Sequence, residues 1–421
     1  MPLCEKPQGP LVGYRVLELC SMIAGPACTR LMADFGAEVI KIEPFGGDTV
    51  RTIGDQDHDV ELYAAAILRN KEDMALDIKT AEGRDIVRAL ADKCDIVVEN
   101  FRPGTLERLG LSYEELSKNN PGLILVRISG YGQSGPQSAN AGYGAICEAF
   151  AGVRHMTGDP DRPPARVALP MTDYMTAIFA AYGAVMALLQ RQKTGRGQVI
   201  DAALYETAFT MMEAWVPVYD RLGTVPMRVG PRLPGTAPNS LYMTKDNAYI
   251  LIAANNNAIF RRLSDSMGRP NLPTDPRFCD PRVRSINVDA LDEEIQAWAK
   301  TQNAREAQDK LDAAGVPASL VNTISDIFQD EHYRARDMLL EAPHPVLGKL
   351  TVPGIVPKLS ETPGGVYRLG STLGADSGAV LQRLLGYTSQ QVAQLETDGV
   401  ISTQSKSGPA SSTPSRQVLD S

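Results

Sequence analysis

The chain has 421 residues, 43% of them hydrophobic and 22% charged, which is the composition of an ordinary soluble globular protein with room for two domains. Its net charge of −8 argues against nucleic acid and membrane partners, so an anionic ligand would need a local basic cluster. A run of about 18 apolar residues is absent, and we therefore expect no segment that spans a membrane.

The cysteines and histidines argue against disulfide bonds and metal ions. Six cysteines are spread along the chain without a CxxC pair, a distribution that is typical of reduced thiols. The four histidines never stand at the spacing of metal ligands, so we expect no metal site. Residues 1–10 lack the basic and apolar regions of a signal peptide, and we expect a cytoplasmic protein.

The first half of the chain alternates short apolar strands with helical patterns. The predicted strands cover residues 16–19, 38–42, 74–78, 95–99, 123–128 and 199–204. The predicted helices cover residues 31–35, 81–91, 106–116 and 173–191. The cations and glycines of segment 193–197 are the expected stop signals of the last of these helices. Strands that alternate with helices form parallel sheets that are buried on both faces. We therefore predict an α/β fold whose large domain is a doubly wound, Rossmann-like parallel sheet.

The pattern changes after Gly230, where a second, smaller domain is predicted. Two apolar runs flank Asp246-Asn247, which is a hairpin signal, and helical patterns fill residues 257–315. Residues 338–357 are again typical of strands, and residues 380–395 of a helix. The predicted division is a large domain over 1–220 and 335–400, a smaller α+β domain over 225–330, and a disordered, Ser/Thr/Pro-rich tail over 402–421.

Residues 130–135 have the spacing GxGxxG and follow a predicted strand. In a dinucleotide site a helix opens at the third glycine, and a second strand ends in an acidic residue about 20 residues later. Here residues 136–140 predict a loop and no such strand follows, which argues against NAD binding. Two readings stay open: a tightly packed loop, or a glycine loop that lies against another ligand.

Asp173 stands at the predicted start of the long apolar helix. One reading is a helix N-cap, whose side chain accepts a hydrogen bond from the first turn. The other is a nucleophile, because the positive end of the helix dipole keeps a carboxylate ionised and can stabilise an oxyanion. The apolar neighbours Leu169 and Met171 would shield such a nucleophile from water. Both readings stay open at the level of the local sequence.

Four basic residues of the first half lie at or just beyond the ends of predicted strands, namely Lys71, Lys79, Arg102 and Arg108. Ligands of α/β sheets bind at the carboxyl ends of the strands. Taken singly, each of these side chains is typical of a solvated surface charge. Together they could neutralise a polyphosphate.

Six motifs, taken in order, give the chain a resemblance to the family III CoA-transferases, the CaiB/BaiF family, over nearly its whole length. That family includes formyl-CoA:oxalate and carnitine CoA-transferases and, as close relatives, α-methylacyl-CoA racemases. The motifs are AGP at 24–26, GAEVIKIE at 36–43, ENFRPG at 99–104, GYGQSGP at 130–136, MTD at 171–173 and KTGRGQ at 193–198.

The resemblance implies that Asp173 is a catalytic nucleophile. It would attack a donor thioester to form an aspartyl-acyl anhydride, which CoA converts into an aspartyl-CoA thioester, and the acceptor acid would then reverse these steps. Acyl-CoA and a carboxylic acid would be the substrates, the large domain would bind CoA, and no cofactor would be tightly bound. The CoA contacts that the resemblance implies are Ile23, Ala24, Leu76, Asp77, Ile78, Lys79, Asn100, Phe101, Arg102, Arg108, Ala141, Gly142, Tyr143 and Gly144.

The resemblance also implies an interlocked homodimer, with each active site between the large domain of one chain and the small domain of its partner. Pro44 and Glu72 replace residues that are often basic in the family, so phosphate contacts should be distributed differently. The glycine-rich loop of the formyl-CoA enzymes is absent, and the shorter segment 230–239 carries Arg232. The missing loop argues against oxalate as the acceptor. The pattern at 130–136, with 152–153 and 156–158, is more similar to the branch that acts on succinyl-CoA and C4–C6 dicarboxylates.

Two alternatives to CoA transfer are considered. An acyl-CoA racemase or isomerase on the same scaffold needs two groups that exchange protons at the α-carbon. The racemases use a His–Asp pair for one of them, whereas the matching residues here are Tyr143 and Gly144, which favours a transferase. The other alternative is a catalytically silent CoA-binding protein in which Asp173 only caps its helix, and the intact motif at 171–173 argues against it.

Overall fold

The computed structural model describes residues 4–403, which group into two compact units. The larger unit comprises residues 4–151, 168–214 and 334–403, and the smaller unit comprises residues 152–167 and 215–333. The segment 152–167 thus belongs to the smaller unit, although the sequence prediction assigns it to the large domain. Of the predicted tail, Ser402 lies in a strand, and residues 404–421 lie outside the described residues.

Helices and strands follow one another along most of the described chain. The first half contains β1 (Arg15–Leu19), α1 (Ala24–Asp34), β2 (Glu38–Glu43), β3 (Gln56–Asp57), β4 (Val60–Glu61), α2 (Leu62–Ile67), β5 (Lys71–Leu76), α3 (Ala81–Ala91), β6 (Ile96–Glu99), α4 (Thr105–Arg108), α5 (Tyr113–Leu116), β7 (Ile124–Ser129), α6 (Gly144–Phe150), α7 (Val153–Met156), α8 (Met171–Thr194), β8 (Val199–Ala203) and α9 (Leu204–Thr210). The second half contains α10 (Trp215–Leu222), β9 (Asn239–Met243), β10 (Tyr249–Ala253), α11 (Asn257–Ser266), α12 (Pro281–Ile286), α13 (Val288–Ala299), α14 (Ala304–Ala313), β11 (Ala318–Leu320), α15 (Ile324–Gln329), α16 (Glu331–Ala335), β12 (Leu339–His344), β13 (Gly348–Pro353), α17 (Ser377–Leu385), α18 (Ser389–Thr397) and β14 (Ile401–Ser402).

A seven-stranded sheet forms the centre of the larger unit, in the order β14-β5-β2-β1-β6-β7-β8. Every neighbouring pair is parallel except the short edge strand β14 against β5. The chain builds outward from β1 through β2 and β5, and then returns to build outward through β6, β7 and β8. The predicted α/β fold with a large, mainly parallel sheet is therefore confirmed. The order reverses between β1 and β6, where sheets of this kind open a crevice at the carboxyl ends of their strands.

Alternate residues of the central strands enter two separate cores, one on each face of the sheet. Val16 of β1 joins a core with residues of α1 and α8, whereas its neighbour Leu17 joins a core with residues of α3 and α17. Both side chains are completely buried. Successive side chains of a strand point to opposite faces, so a strand that is covered on both faces is mostly apolar, and any charged residue in it needs a buried partner. This explains why these strands occur in the sequence as continuous apolar runs.

The smaller unit contains an antiparallel sheet in the order β11-β10-β9. Strands β9 and β10 form the predicted hairpin, and Asn247 in its turn has a φ of +62°, which asparagine tolerates. Ile250 and Ile252 of β10 share a core with Phe260 and Leu263 of α11. The alternation of buried and exposed residues along β10 is typical of a sheet with one covered face.

Helix α8 packs one face into the larger unit and leaves the other exposed. Ala177, Ala180 and Ala184 are fully buried in the core that also contains α1. On the other face, Ile178 is 57% and Tyr182 60% exposed. By length and composition this helix could also cross a membrane, contrary to the expectation from the sequence, although a core helix of a soluble protein meets the same criterion.

Glycines in the left-handed region decide where two predicted helices end. The predicted helix 106–116 is divided into α4 and α5, because Gly110 between them has a φ of +67°. The predicted glycine stop after the long helix is confirmed, since α8 ends at Thr194 and Gly195 follows with a φ of +70°. Gly195 donates its N–H to the Arg191 carbonyl at 2.7 Å, which closes the last turn.

Candidate active site

A cavity of about 330 Å³ opens at the carboxyl ends of the strands, where the strand order reverses between β1 and β6. The segment 21–24 follows β1, the segment 100–103 follows β6, and Gly130 follows β7. Asn140 to Tyr143 and the first turn of α8 complete the wall. Residues that are far apart in the sequence therefore meet because parallel strands bring their following loops to one edge.

Most of the residues that the sequence predicts for the site line this cavity. They are Ile23, Ala24, Asn100, Phe101, Arg102, Ala141, Gly142, Tyr143 and Asp173. Gly130 of the glycine loop, which the sequence suggested could lie against a ligand, also lines it. The cavity wall further contains Ser21, Met22, Thr49, Pro103, Ile128, Ser129, Asn140 and Leu204, which the sequence prediction missed. Many of these flank the quoted motifs, and that proximity was the signal that could have identified them.

The remaining predicted CoA contacts lie outside the cavity wall. Leu76, Asp77, Ile78 and Lys79 follow or end β5, which is two strands away from β1, and Leu76 is buried in the core. The guanidinium of Arg108 donates to Thr105 Oγ1 at 2.9 Å. Gly144 is also outside the wall, but it contacts Asp173 as described below. Their contacts to CoA stay predictions.

Lys71 does not belong to a phosphate-binding cluster, contrary to the expectation from the sequence. It begins β5 rather than ending it, and only 2% of the residue is exposed. Its Nζ donates to Glu18 Oε2 and to the Pro26 carbonyl, each at 2.8 Å. A lysine that is buried and paired in this way is part of the interior. Among the residues that line the cavity, Arg102 is the basic one.

Asn100 connects the loop after β6 to the loop after β1 by hydrogen bonds, at the point where the strand order reverses. Its Oδ1 accepts the N–H of Ser21 at 2.9 Å, and its Nδ2 donates to the Ser21 carbonyl at 2.7 Å. The preceding Glu99 accepts the N–H of Phe101 at 2.8 Å and pairs with Arg127 at 2.7 Å. Burial raises the pKa of Glu99, although the hydrogen bond from Arg127 opposes that rise. Both walls of the cavity are thus held by side chains from the ends of the central strands.

Asp173 is the third residue of α8 and lines the cavity in a half-buried position. Pro170 occupies the N-cap position, without a side-chain hydrogen bond to the first turn, so the reading of Asp173 as an N-cap is wrong. A carboxylate in the first turn of a helix is favoured by the helix dipole. Within residues 4–403 no group of three or more His, Cys, Asp or Glu side chains could hold a metal ion.

The Asp173 carboxylate lies directly against the backbone of Gly144, the first residue of α6. A Cβ added to Gly144 would stand only 2.1 Å from Asp173 Oδ2. One turn later, burial and then the charge of Asp173 raise the pKa of the Cys147 thiol to about 11. Cys147 therefore remains a protonated, inert thiol at neutral pH. Of these two side chains, Asp173 is the one that lines the cavity.

The glycine segment is a loop, as its context predicts. No helix begins at Gly135, and the next helix, α6, begins at Gly144. Gly130 approaches Gly142 so closely that a Cβ on Gly130 would lie 2.8 Å from the Gly142 Cα. Because Gly130 and Gly142 both line the cavity, the glycines let two walls meet without side chains between them. This geometry agrees with a glycine loop that lies against a ligand other than a dinucleotide.

The sequence model of CoA-transferase family III matches residues 11–377. The chain belongs to CoA-transferase family III. This family III CoA-transferase is 43% identical to succinyl-CoA–D-citramalate CoA-transferase of Chloroflexus aurantiacus, over 94% of this chain and 99% of that protein. It is 32% identical to succinyl-CoA:glutarate CoA-transferase of Homo sapiens, over 93% of this chain and 90% of that protein.

The fold agrees with the family assignment. A crystal structure of a CAIB/BAIF family protein from Brucella suis matches this family III CoA-transferase with a TM-score of 0.80 and 31% identity, over 90% of this chain and 100% of that chain. The relatives are themselves CoA-transferases, so the chain is an enzyme of that class and CoA is a substrate. The resemblance drawn from the six motifs is therefore confirmed.

Proposed function

We propose that this enzyme moves CoA from succinyl-CoA to a C4–C6 dicarboxylic acid. The names of two relatives that align over nearly their whole length support this, since one acts on citramalate and another on glutarate, each with succinyl-CoA. The cavity at the reversal point provides one exposed cation, Arg102, for a phosphate of CoA or for a carboxylate. Oxalate is disfavoured, because segment 230–239 has no glycine-rich loop and its Arg232 already pairs with Asp289 and Asp292.

Asp173 is the covalent carrier in this proposal, and the observation that carries it is the Asp173 carboxylate lying in the cavity wall. The carboxylate attacks the donor thioester carbonyl, which forms an aspartyl-acyl anhydride and expels CoA thiolate. The thiolate attacks the aspartyl carbonyl, which releases the donor acid and leaves an aspartyl-CoA thioester. The acceptor carboxylate forms a second anhydride and expels the thiolate again. The thiolate then attacks the acceptor carbonyl of this anhydride, which gives the new acyl-CoA and expels the Asp173 carboxylate.

The active form is proposed to be an interlocked homodimer. The exposed apolar face of α8, which includes Ile178, Phe179 and Tyr182, supports a partner, because monomeric proteins rarely expose contiguous apolar patches of this kind. This face begins one turn after Asp173, so a partner that covers it would also exclude water from the nucleophile.

The first prediction tests the covalent role with Asp173→Asn and a panel of acids. The wild-type enzyme with succinyl-CoA should form thioesters of C4–C6 dicarboxylic acids, which mass spectrometry identifies, and should form little oxalyl-CoA. Asp173→Asn keeps the side-chain shape but lacks the anion, so turnover should fall at least about a hundredfold, the size of a lost covalent role. Glu82→Gln, which changes a carboxylate in the first turn of α3, is the matched control and should keep full turnover.

An isotope experiment follows the bond changes themselves. With an acceptor whose carboxylate carries ¹⁸O, the bridging oxygen of the second anhydride stays on Asp173 after one turnover. The peptide that contains Asp173 should therefore gain one ¹⁸O atom. New thioesters formed by a wild-type enzyme whose Asp173 stays unlabelled would contradict the covalent route while leaving CoA transfer intact.

A further inference from the structure

A cluster of buried charges borders the cavity loop that follows β1. Glu18, Lys41 and Asp48 are each at most 2% exposed. Lys41 Nζ donates to Glu18 Oε1 at 3.0 Å and to Asp48 Oδ2 at 2.8 Å. Burial alone would raise the pKa of Glu18, but the charges of Lys41 and Lys71 hold it below its usual value. The cluster is therefore a network of charged groups inside the larger unit.

The lysines of this network also hold the backbone of the loop. Lys41 Nζ donates to the Cys20 carbonyl at 2.9 Å, and Lys71 Nζ donates to the Pro26 carbonyl at 2.8 Å. Buried ion pairs add little to stability compared with apolar residues of the same volume. Contacts from the two lysines to Cys20 at the start of the loop and to Pro26 in the first turn of the helix that follows it therefore indicate a role in shaping that loop.

Asp48 holds the strained residue of the loop. Met22 lines the cavity with a φ of +68°, a left-handed conformation that residues other than glycine rarely adopt. Asp48 Oδ1 accepts the N–H of Met22 at 2.8 Å and the N–H of Val50 at 3.0 Å. Thr49, next to Asp48, lines the same cavity. One buried carboxylate thus connects two parts of the cavity wall to Lys41.

We propose that Asp48, held by Lys41, is a positioning residue for acyl-CoA, because it fixes the 20–23 loop in the conformation that forms the cavity wall. The proposal rests on the proposed function, in which acyl-CoA occupies this cavity. Asp48 does not line the cavity, so it acts through Met22 and Thr49. Its loss should therefore weaken acyl-CoA binding more than it slows the bound complex.

The test is Asp48→Asn, measured by steady-state kinetics and by calorimetric binding of CoA. A carboxylate accepts on both oxygens, whereas an amide accepts on one, so either the Met22 N–H or the Lys41 ammonium loses its hydrogen bond to residue 48. Loss of one hydrogen bond to a charged group predicts a KM for acyl-CoA and a Kd for CoA that rise by about tenfold or more. The kcat at saturation should change by less than about threefold, because the interaction lost is uniform binding.

Asp34→Asn is the matched control. Asp34 is 2% exposed, as Asp48 is, and its oxygens accept from Arg69 at 2.9 and 2.7 Å. It ends α1, whereas the cavity residue Ala24 begins it, so the helix rise separates the two by about 15 Å. Asp34→Asn should lower the melting temperature as Asp48→Asn does, and it should leave the KM for acyl-CoA unchanged.

A second substitution tests the strain directly. Glycine adopts the left-handed conformation without steric cost. A loop with Met22→Gly therefore depends less on the hydrogen bond to Asp48 to keep its conformation. The increase in KM caused by Asp48→Asn should therefore shrink at least about threefold when it is measured in the Met22→Gly background, since the two sites are coupled. If Asp48→Asn does not fold, Asp48→Glu keeps the ion pair to Lys41 but displaces the oxygen from the Met22 N–H, and it should raise the same KM.

The outcomes separate this proposal from the proposed function. A folded Asp48→Asn or Asp48→Glu enzyme with an unchanged Kd for CoA overturns the positioning role, as does an equal rise in KM for Asp34→Asn. A wild-type enzyme that binds CoA but forms no new thioester overturns the proposed function alone, because the Kd comparison still stands. A wild-type protein that does not bind CoA overturns both.

Discussion

Gly144 limits which residue can stand opposite the Asp173 carboxylate. Its backbone does not occupy the left-handed region, so an alanine there would meet no backbone strain. The obstacle is space alone, since the added Cβ would lie 2.1 Å from Asp173 Oδ2. At the residue scale, the position of the proposed nucleophile therefore depends on a neighbour that has no side chain.

The second prediction concerns Gly144→Ala. The added methyl group should displace the Asp173 carboxylate, and a misplacement of about 1 Å costs about a hundredfold in turnover. Gly46→Ala is the matched control, because a Cβ at Gly46 would meet nothing within 4 Å. Steady-state kcat measured beside melting curves checks the prediction. A Gly144→Ala enzyme with wild-type turnover would show that the carboxylate does not react from this position.

The third prediction distinguishes transfer from racemisation at Tyr143 and Gly144. These residues stand where the resemblance places the proton-exchanging His–Asp pair of the racemases, and glycine has no side chain that could exchange a proton. A 2-methylacyl-CoA incubated with the enzyme in deuterated water, without an acceptor acid, should therefore gain no deuterium at its α-carbon. Mass spectrometry measures the deuterium content. Deuterium incorporation at the α-carbon at a rate that matches turnover would favour a racemase or isomerase instead.

At the scale of elements, the last strand of the described chain forms one edge of the sheet. Strand β14 pairs with β5 through Ile401 opposite Leu76. Ile401 and the preceding Val400 are at most 4% exposed and belong to the core on that face of the sheet. The Val400 carbonyl also accepts the N–H of Asp77 at 2.9 Å. The return segment thus stabilises the end of β5, which leads into the predicted CoA contacts 76–79.

The fourth prediction compares two truncations. A chain that ends after residue 398 loses Val400 and Ile401, and each buried side chain of this size contributes about 1.5–3 kcal/mol. Its melting temperature should therefore fall by several degrees or more. A chain that ends after residue 403 keeps β14 and, if the predicted tail is disordered, should melt as the full chain does. Equal melting temperatures for the two truncations would show that β14 adds no stability.

At the scale of the whole molecule, the exposed face of α8 predicts an association. The fifth prediction is that light scattering at micromolar concentration gives twice the mass of the 45.5 kDa chain. Ile178→Glu combined with Tyr182→Glu places two charges on the apolar face and should give the mass of one chain with little turnover. Ile286→Glu, at another exposed apolar residue, is the control and should remain a dimer. A wild-type mass of one chain excludes the dimer.

Local patterns in the sequence predicted much of the fold. Apolar runs identified the strands of the parallel sheet, because burial on both faces favours nearly continuous apolar residues. The glycine after the long helix predicted its end, because the left-handed conformation is a local property of the backbone. Asp246-Asn247 predicted the hairpin for the same reason. These features depend on neighbouring residues, so no knowledge of distant contacts was needed.

The tertiary structure alone decided what depends on residues that are far apart in the sequence. The helix signal at Asp173 suggested a cap, and only the packed helix shows Pro170 in that place and the carboxylate against Gly144. Lys71 has the same side chain as a surface lysine, but its position opposite Glu18 makes it part of the interior. Sequence alone determined the strands of the parallel sheet, the hairpin and the family to which the chain belongs. The order of the strands determined which side chains meet at their carboxyl ends, because only a completed sheet brings those loops together.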